Sequence, residues 1–142
     1  MSVLVPTSLF PIDIKYAEVK LKSGMTGNVV IDDDDEENLK KYEGKIKELH
    51  TQWLQPGWKE NNNIVRESMY WDEFRGVRDV DFYVYRALVL ERFLKVWDVK
   101  DDKGQPVPCT PETAARLDIQ VATSLVSKFL SRNVPTEEDL KN

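Results

Sequence analysis

Cysteine and histidine, the residue types that most often act as nucleophile and base, each occur once in this chain, at Cys109 and His50. A catalytic cysteine needs a base that removes its proton, and nothing in the sequence places His50 beside Cys109. We therefore interpret Cys109 as a small apolar residue next to a helix start. One histidine and one cysteine also fall short of the usual zinc ligand sets. With no phosphate-binding glycine loop and no H-E-x-x-H or G-x-S-x-G motif, the sequence predicts no catalytic residue, no metal and no cofactor.

Two acidic segments could bind cations. One is the unbroken acidic run at positions 32–37, and the other contains Asp98, Asp101 and Asp102 ahead of Gly104. The second segment lacks the ligand spacing and the terminal glutamate of an EF-hand, so we interpret it as a turn. Dense like charges favour solvent, and acidic residues stabilise the positive end of a helix. The run at 32–37 therefore predicts a solvated helix start. Weak binding of divalent ions and imitation of a phosphate backbone stay open for it.

The tryptophans are the strongest candidates for partner contact. There are four of them in 142 residues, and Trp53, Trp58 and Trp71 lie close together in the sequence, while Trp97 follows later. Tryptophan fills protein cores, and it is also enriched among the residues that dominate interfaces. We predict that Trp58, Trp71 and Trp97 contact a partner. A proline-glycine pair just before Trp58 favours an exposed position for that side chain.

A second candidate contact surface comes from apolar residues at alternating spacings of 3 and 4, namely Leu39, Tyr42, Ile46, Leu49 and Trp53. Such spacing places them on one face of an α-helix. It predicts a helix over residues 36–54, ended by a proline-glycine pair. The face would pack inside the domain, or it would bind a partner helix or a second copy of the chain through Leu39, Tyr42 and Ile46.

The remaining elements are predicted from periodicity and capping residues. Alternating apolar residues over 12–31 predict a β-hairpin. A short helix is expected at 60–70 and a charged loop at 72–79. Residues 80–97 are apolar almost all round, which predicts a long buried helix, although their β-branched and aromatic residues leave a strand open for part of them. Thr110-Pro111-Glu112 predicts the start of the last helical part, which continues to about residue 131.

Together these elements predict an α+β fold that is mostly α, with an N-terminal β-hairpin followed by a compact bundle of about four helices. The length fits one domain over 1–142, made of the 12–31 hairpin, a 36–131 helical body and a 132–142 polar tail. The formal net charge is −5, and the longest basic cluster is Lys40-Lys41, which argues against nucleic acid as a partner.

The expected location is the cytoplasm in which the chain is made. Residues 1–6 lack the features of a signal peptide, and no window approaches the roughly 20 apolar residues of a membrane span. A single cysteine fits a reducing compartment. These observations leave a soluble binding domain as the prediction.

One stretch resembles a pattern in bacteriophage tail assembly chaperones and chaperone-like products of tail gene clusters. In that pattern an apolar helix ends in a tryptophan, and an acidic-glycine turn, a proline-containing segment and a Thr/Ser-Pro-Glu helix start follow. The matching residues here are Trp97, Asp101, Asp102, Gly104, Pro106, Pro108, Thr110, Pro111 and Glu112. The resemblance covers residues 80–131 and does not include the hairpin or the acidic run.

The resemblance implies a non-catalytic protein of the host cytoplasm that binds a phage structural protein, such as the tape measure or tail tube protein. Such a protein keeps its client soluble, assists virion assembly and often self-associates as an oligomer. Two alternatives stay open: a structural virion subunit of the tail or head-tail connector, and an acidic inhibitor of a nucleic-acid-binding protein.

Overall fold

A four-stranded antiparallel sheet forms the centre of the computed structural model, which describes residues 3–133. The strand order in this sheet is β2-β1-β3-β6, and β4 and β5 form a separate two-stranded hairpin. The elements in chain order are β1 (Phe10–Lys20), β2 (Thr26–Ile31), α1 (Glu36–Lys41), β3 (Lys47–Trp53), α2 (Trp58–Glu67), β4 (Met69–Asp72), β5 (Val77–Val80), α3 (Phe82–Phe93), β6 (Leu94–Trp97), α4 (Pro111–Ala114) and α5 (Ile119–Asn133).

The N-terminal hairpin is confirmed. Strand β1 pairs with β2 on one side, with Lys15 opposite Ile31, and with β3 on the other side, with Ile14 opposite Leu49. Ile12 and Ile14 are buried while their neighbours are more exposed, as the alternation predicts for a strand with one face in the core. Because β1 is flanked on both sides, the hairpin belongs to a larger sheet and gains the support that an isolated hairpin lacks.

Helix α5 covers one face of the sheet and closes the core. Its Phe129 is 1% exposed, and its ring lies 4.9 Å from Trp53, 5.6 Å from Phe93 and 5.9 Å from Phe10, between ring centroids. One side chain therefore joins α5 to β1, β3 and α3. The buried apolar core around it also contains Ile12, Ile14, Leu49, Ile64, Val89, Leu94, Ala114, Val121, Leu125 and Val126.

The predicted helix over 36–54 is wrong beyond its first turns. Helix α1 ends at Lys41, Gly44 adopts a left-handed backbone with φ +82°, and the chain then enters β3. Leu49, Thr51 and Trp53 are buried in alternation with exposed residues, so this segment follows a period of two. Pairing with β1 and β6 on both sides provides the backbone hydrogen bonds that decide in favour of the strand.

The predicted helix over 80–97 is correct only in part. Asp81 caps α3, since its carboxylate accepts hydrogen bonds from the N–H groups of Tyr83 and Val84, but the helix ends at Phe93. The chain then becomes extended and forms β6, in which Trp97 lies opposite Thr51 of β3. The apolar run thus supplies a helix and a strand, and Trp97 ends the strand.

The predicted fold class is wrong in its main feature. The predicted helical body over 36–131 contains four strands, β3 to β6, so the fold is α+β around a sheet and is not a bundle. The predicted loop at 72–79 contains the end of β4, a turn and most of β5. Local periodicity could not reveal these strands, because each depends on a partner distant in sequence or on a tight turn. Of the predicted polar tail 132–142, residues 134–142 lie outside the described part.

Two smaller predictions are confirmed. The helix expected at 60–70 is α2, which starts at Trp58 and ends at Glu67. Thr110 caps α4 in a reciprocal arrangement with Thr113, and Pro111 is the first helical residue. Within residues 3–133, no helix combines the length and the apolar character needed to cross a membrane.

Candidate partner-binding surface

The hairpin β4–β5 and the first turns of α3 form a segment that we call the aromatic arm, residues 69–86. In the hairpin, Met69 lies opposite Val80, and Trp71 lies opposite Arg78. Residues directly opposite in an antiparallel pair share a face, so these four side chains lie on one face. Neither strand pairs with the central sheet. The hairpin part of the arm is thus a two-stranded sheet separate from the central one.

The base of the arm is held at Ser68, between α2 and β4. The buried Ser68 hydroxyl donates a hydrogen bond to the carbonyl of Ile64 at 2.5 Å, and the Ser68 carbonyl accepts one from the N–H of Asp81 at 2.7 Å. Because Asp81 also caps α3, one short segment ties α2, the hairpin and α3 together. The direction of the arm relative to the core is therefore defined at its base.

The turn of the arm is organised by Asp72. Its carboxylate accepts hydrogen bonds from the N–H groups of Phe74 and Arg75 at 3.0 and 3.2 Å and from the Arg75 Nε at 2.7 Å. The Arg75 guanidinium also pairs with Asp79. Gly76 adopts φ +65°, a conformation that suits glycine because it has no Cβ. Arg75 thus holds the two strands together across the turn.

These contacts lower the pKa of both carboxyl groups. Hydrogen bonding from Arg75 holds the pKa of Asp72 below its usual value of 3.8. The pKa of Asp79 is lowered by the N–H of Val80 and then by Arg75. Charged carboxylates therefore stabilise the turn, and protonation removes that contribution.

Acid should loosen the arm before it disrupts the sheet. A carboxyl group with a lowered folded-state pKa stabilises the fold above its unfolded-state pKa, and this stabilisation is lost as the pH falls through the folded-state value. We expect the protection factors of the amides in residues 69–80, which are corrected for the intrinsic pH dependence of exchange, to fall below about pH 4, while those of β1 and β3 are retained. Hydrogen-exchange NMR measures this. Asp72→Asn should give fast exchange at neutral pH, and unchanged arm protection at about pH 2.5 would contradict the prediction.

The arm exposes an unusual amount of apolar surface. Phe74 at the turn is fully exposed, Trp71 is 58% exposed and Tyr83 is 78% exposed. The other large hydrophobic side chains exposed in the arm are Met69, Tyr70, Val77, Val80, Phe82 and Val84. Single exposed apolar residues are ordinary, but a series of them along one segment is typical of a binding surface.

The cations of this region are all arginines. No lysine occurs between Lys59 and Lys95, and the basic residues between them are Arg66, Arg75, Arg78, Arg86 and Arg92. Protein interfaces are enriched in aromatic residues, methionine and arginine and depleted in lysine. The guanidinium of Arg86 lies over the rings of Phe82 and Tyr83, 5.6 and 5.7 Å from their centroids. This composition could have revealed the arm from the sequence, where Tyr70, Phe74, Phe82 and Tyr83 were missed.

The three predicted tryptophan contacts lie in three different places. Trp71 belongs to the arm. Trp58 starts α2, is 84% exposed and borders an open cleft of about 380 Å³ that reaches Tyr85 and Phe129. Trp97 is half-buried, and its Nε1 donates a hydrogen bond to the carbonyl of Val107 at 2.7 Å. The structure therefore does not gather them into one cluster, and Trp97 has a structural contact.

The other predicted contacts, Leu39, Tyr42 and Ile46, do not share a helix face. Leu39 lies in α1, Tyr42 is its C-terminal cap, and Ile46 lies between α1 and β3. All three are partly buried. The helical surface that was predicted from their spacing is absent from this described segment, because the helix ends before Ile46. Their contact with a partner stays a prediction.

His50 lies beside two carboxylates on the exposed side of β3. Its Nδ1 is 2.9 Å from Asp98 Oδ2, and its Nε2 is 3.1 Å from Glu48 Oε2. The same Asp98 carboxylate accepts a hydrogen bond from the His50 N–H at 2.9 Å, so it joins β3 to the chain after β6. Within residues 3–133, no hydrogen bond links His50 to Cys109. Burial raises the pKa of the Cys109 thiol above its usual value, and this effect outweighs the lowering by the nearby Lys95. That burial favours the neutral thiol over the reactive thiolate.

The two acidic segments have local structural roles. Asp35 caps α1 by accepting a hydrogen bond from the N–H of Asn38, and Asp33 pairs with Lys15 at 3.0 Å. The predicted helix start is therefore confirmed. In the second segment, Asp101 accepts hydrogen bonds from the N–H groups of Lys103 and Gln105, both at 2.9 Å, which closes a turn. In the described part of the chain, no group of three or more acidic, histidine or cysteine side chains is arranged to hold a metal ion.

The arm differs from the other candidate sites in the chemistry of its exposed side chains. The polar atoms of His50 and Asp101 already have partners, which are carboxylates for His50 and backbone N–H groups for Asp101. The arm instead presents apolar side chains and Arg78 to solvent. Such a surface can bind a polypeptide through burial of aromatic side chains. No family model, curated protein or solved structure matches this chain.

Proposed function

We propose that this chain is a non-catalytic binding protein that engages another polypeptide through the aromatic arm. The observation that carries the proposal is the exposure of Trp71, Phe74 and Tyr83 on the aromatic arm, whose two strands do not pair with the central sheet. Burial of apolar surface is the main driving force of protein association. Large aromatic side chains are the residues that most often dominate its energetics.

The conformation of the arm supports this use. A two-stranded hairpin is marginally stable in water when nothing covers it, yet this one is anchored at Ser68 and closed by Arg75. The anchor reduces the conformational freedom that binding would otherwise remove. An apolar surface is costly to expose to water, and the anchored hairpin keeps this one in a defined conformation. A partner that covers the surface best explains both properties.

The partner that we propose is a phage structural protein with long apolar helices, such as the tape measure protein, with this chain as a tail assembly chaperone. The support is the resemblance in residues 80–131. Its acidic-glycine turn and its Thr110-Pro111 helix start adopt the expected local structures. The chain departs from the pattern at Trp97, which ends a strand. An exposed aromatic surface suits the task of shielding apolar segments of a client.

Co-expression tests the proposal. The tape measure protein of the same phage is produced alone, with the wild-type chain, or with the chain carrying Trp71→Ala and Phe74→Ala. The soluble fraction of the client should rise with the wild-type chain. It should fall back with the variant, because each interface hot spot contributes about 2 kcal/mol, or about 30-fold in the dissociation constant.

Two further variants and one measurement make the test specific. Ile119→Ala removes an exposed apolar side chain outside the arm and should leave client solubility unchanged. If Trp58→Ala abolishes solubilisation and the arm variant does not, the cleft beside Trp58 is the binding surface and the arm proposal fails. Mass spectrometry of purified virions should not detect a chaperone. Stoichiometric presence of the chain in the particle would make it a structural subunit.

A further inference from the structure

We infer that the aromatic arm binds its client by strand addition, with an extended client segment hydrogen-bonded along the outer edge of β4. The inference rests on the proposed use of the arm as a binding surface, and it names the conformation of the bound segment. In this mode of recognition, main-chain hydrogen bonds provide affinity and side chains at alternate positions provide specificity. The hydrogen-bond pattern of the hairpin identifies the main-chain groups that would take part.

The register of the hairpin shows which residues of β4 face away from β5. The N–H of Asp81 donates a hydrogen bond to the carbonyl of Ser68 at 2.7 Å. These two residues continue the β4–β5 ladder by one step, since their numbers follow the same register. Hydrogen-bonded and non-hydrogen-bonded pairs alternate along an antiparallel ladder. Met69 and Trp71 therefore belong to non-hydrogen-bonded pairs.

The outer edge of β4 is open. In a non-hydrogen-bonded pair the main-chain groups point away from the partner strand, so the N–H and C=O of Trp71 and the C=O of Met69 face outward. Within residues 3–133, no third strand pairs with this hairpin, and these three groups have no hydrogen-bond partner. Such an edge is a template for a further extended chain.

The outer edge of β5 is already partly occupied. The N–H of Val80 donates a hydrogen bond to the carboxylate of Asp79 at 2.8 Å, so a side chain takes the outward donor at this position. The chain then passes through Asp81 directly into α3. An added strand would therefore pair with β4, and the outward main-chain groups of β5 provide an internal control.

The side chains of β4 set the sequence preference of an added strand. Residues of a strand alternate between the two faces of a sheet, so every second client side chain would lie beside Met69 and Trp71, which are 41% and 58% exposed. The client side chains between them would lie beside Tyr70 and the ion pair of Asp72 with Arg75. The segment that we expect thus has apolar residues at alternate positions.

A helical segment could not use this edge. The main-chain N–H and C=O groups of a helix are bonded to one another, whereas those of an extended segment need external partners. The arm would therefore hold a client segment before that segment folds into a helix. Apolar chains are most prone to aggregate at this stage, which is the stage at which a chaperone is useful.

A scan of N-methylated peptides tests the inference on the unmodified chain. Overlapping peptides of the tape measure protein are measured by fluorescence anisotropy, and the tightest binder is then prepared with one N-methyl group at each position in turn. Because N-methylation removes a donor, binding should weaken about tenfold at every second position and little at the positions between them. A bound helix would lose affinity without this alternation, and that result would overturn the inference.

Amide exchange of the chain itself tests which edge is used. When the unmodified peptide is bound, exchange of the Trp71 N–H should slow by about tenfold or more, because this group gains an acceptor. The N–H of Arg78 points outward on β5 and should keep its exchange rate. Hydrogen-exchange NMR measures both. An unchanged rate at Trp71, or equal protection of the two amides, would contradict strand addition at β4.

A proline substitution separates the main-chain contact from the side-chain contact. Trp71→Pro and Trp71→Ala both remove the indole ring, but only proline also removes the N–H, which the β4–β5 ladder does not use. Trp71→Pro should bind the peptide about tenfold more weakly than Trp71→Ala. Arg78→Pro and Arg78→Ala should bind it equally well. Circular dichroism should show the same folded content in all four variants.

The outcomes distinguish this inference from the proposed function. If the wild-type chain solubilises its client but N-methylation shows no alternation, strand addition fails and the proposed function stands. If the client is not solubilised and no peptide binds, both fail. If Trp71→Pro and Trp71→Ala bind the peptide equally but only the proline variant loses dimers in sedimentation velocity, the edge belongs to a second copy of the chain and the inference is overturned.

Discussion

Replacing Val89 by aspartate is expected to unfold the domain. Val89 is 0% exposed in α3 and belongs to the core that joins this helix to the sheet. The change removes an apolar contact and places a carboxylate where no cation is available in the buried cluster. An uncompensated buried charge costs about 3–5 kcal/mol, and the whole stability of a domain is about 5–15 kcal/mol. Urea denaturation followed by tryptophan fluorescence should show a large loss of stability or no folded baseline.

Ala87→Asp is the matched control on the same helix. Ala87 is exposed, so the same aspartate at this position remains in water and should change the free energy of unfolding by less than about 1 kcal/mol. The pair of variants tests which face of α3 is buried. Equal effects at positions 87 and 89 would show that the helix does not pack as described.

Phe129→Ala is expected to lower the free energy of unfolding by about 3–5 kcal/mol, the usual cost of removing a buried phenylalanine. Its ring contacts Phe10, Trp53 and Phe93, which belong to β1, β3 and α3. The cavity would therefore lie where the sheet and two helices meet, and rigid backbone on several sides limits how far it can collapse. The measurement is the midpoint of urea or thermal unfolding.

Phe74→Ala provides the same chemical change at an exposed position. Phe74 lies at the turn of the arm in full contact with solvent, so its removal should leave the unfolding midpoint nearly unchanged. The same substitution contributes to the expected loss of client binding. A large loss of stability from Phe74→Ala would mean that the arm packs on the body, and it would remove the basis for a binding surface.

The division of the protein into a packed body and an exposed arm explains why these effects separate. The body buries Trp53 and Phe93 against Phe129, whereas the arm keeps Trp71 and Phe74 in solvent. Substitutions in the body should act on stability, and substitutions in the arm should act on association. Both regions are aromatic, so residue type alone does not distinguish them.

Features that depend on neighbouring residues were predicted well. The 12–31 hairpin, the Thr110-Pro111 helix start and the acidic cap of α1 all follow from alternation and capping chemistry. These signals are strong because the stabilising contacts are made within a few residues. The turn at Asp101 belongs to the same class.

Strands whose partners are distant were predicted poorly. The spacing of Leu49 and Trp53 fits a helix and also a strand, and only pairing with β1 and β6 decides for β3. The apolar residues after Phe93 likewise leave the helix because β3 provides an edge to pair with. The prediction of a helical bundle failed for this reason, since local propensity is overridden by tertiary hydrogen bonding.

Of the residues that form the aromatic arm, the sequence predicts only Trp71 as a partner contact. The chemistry of tryptophan favours Trp71 as a contact. It does not single out Phe74 or Tyr83, because the sequence predicts a charged loop around Phe74 and the start of a buried helix around Tyr83. Exposure cannot be read from residue type when core and interface use the same aromatic side chains. The sequence does contain one signal of an interface, because every basic residue between Lys59 and Lys95 is an arginine.

The sequence by itself determined the local elements of this protein: the first hairpin, the helix caps, the turns, and the single cysteine and histidine without a recognisable catalytic motif. Those properties arise from contacts between residues that are near one another in the chain. Only the tertiary structure decided that residues 47–53 and 94–97 join a sheet, and that Trp53 is buried while Trp71 is exposed. The physical reason is that strand pairing and burial depend on the segments that face a residue across the fold.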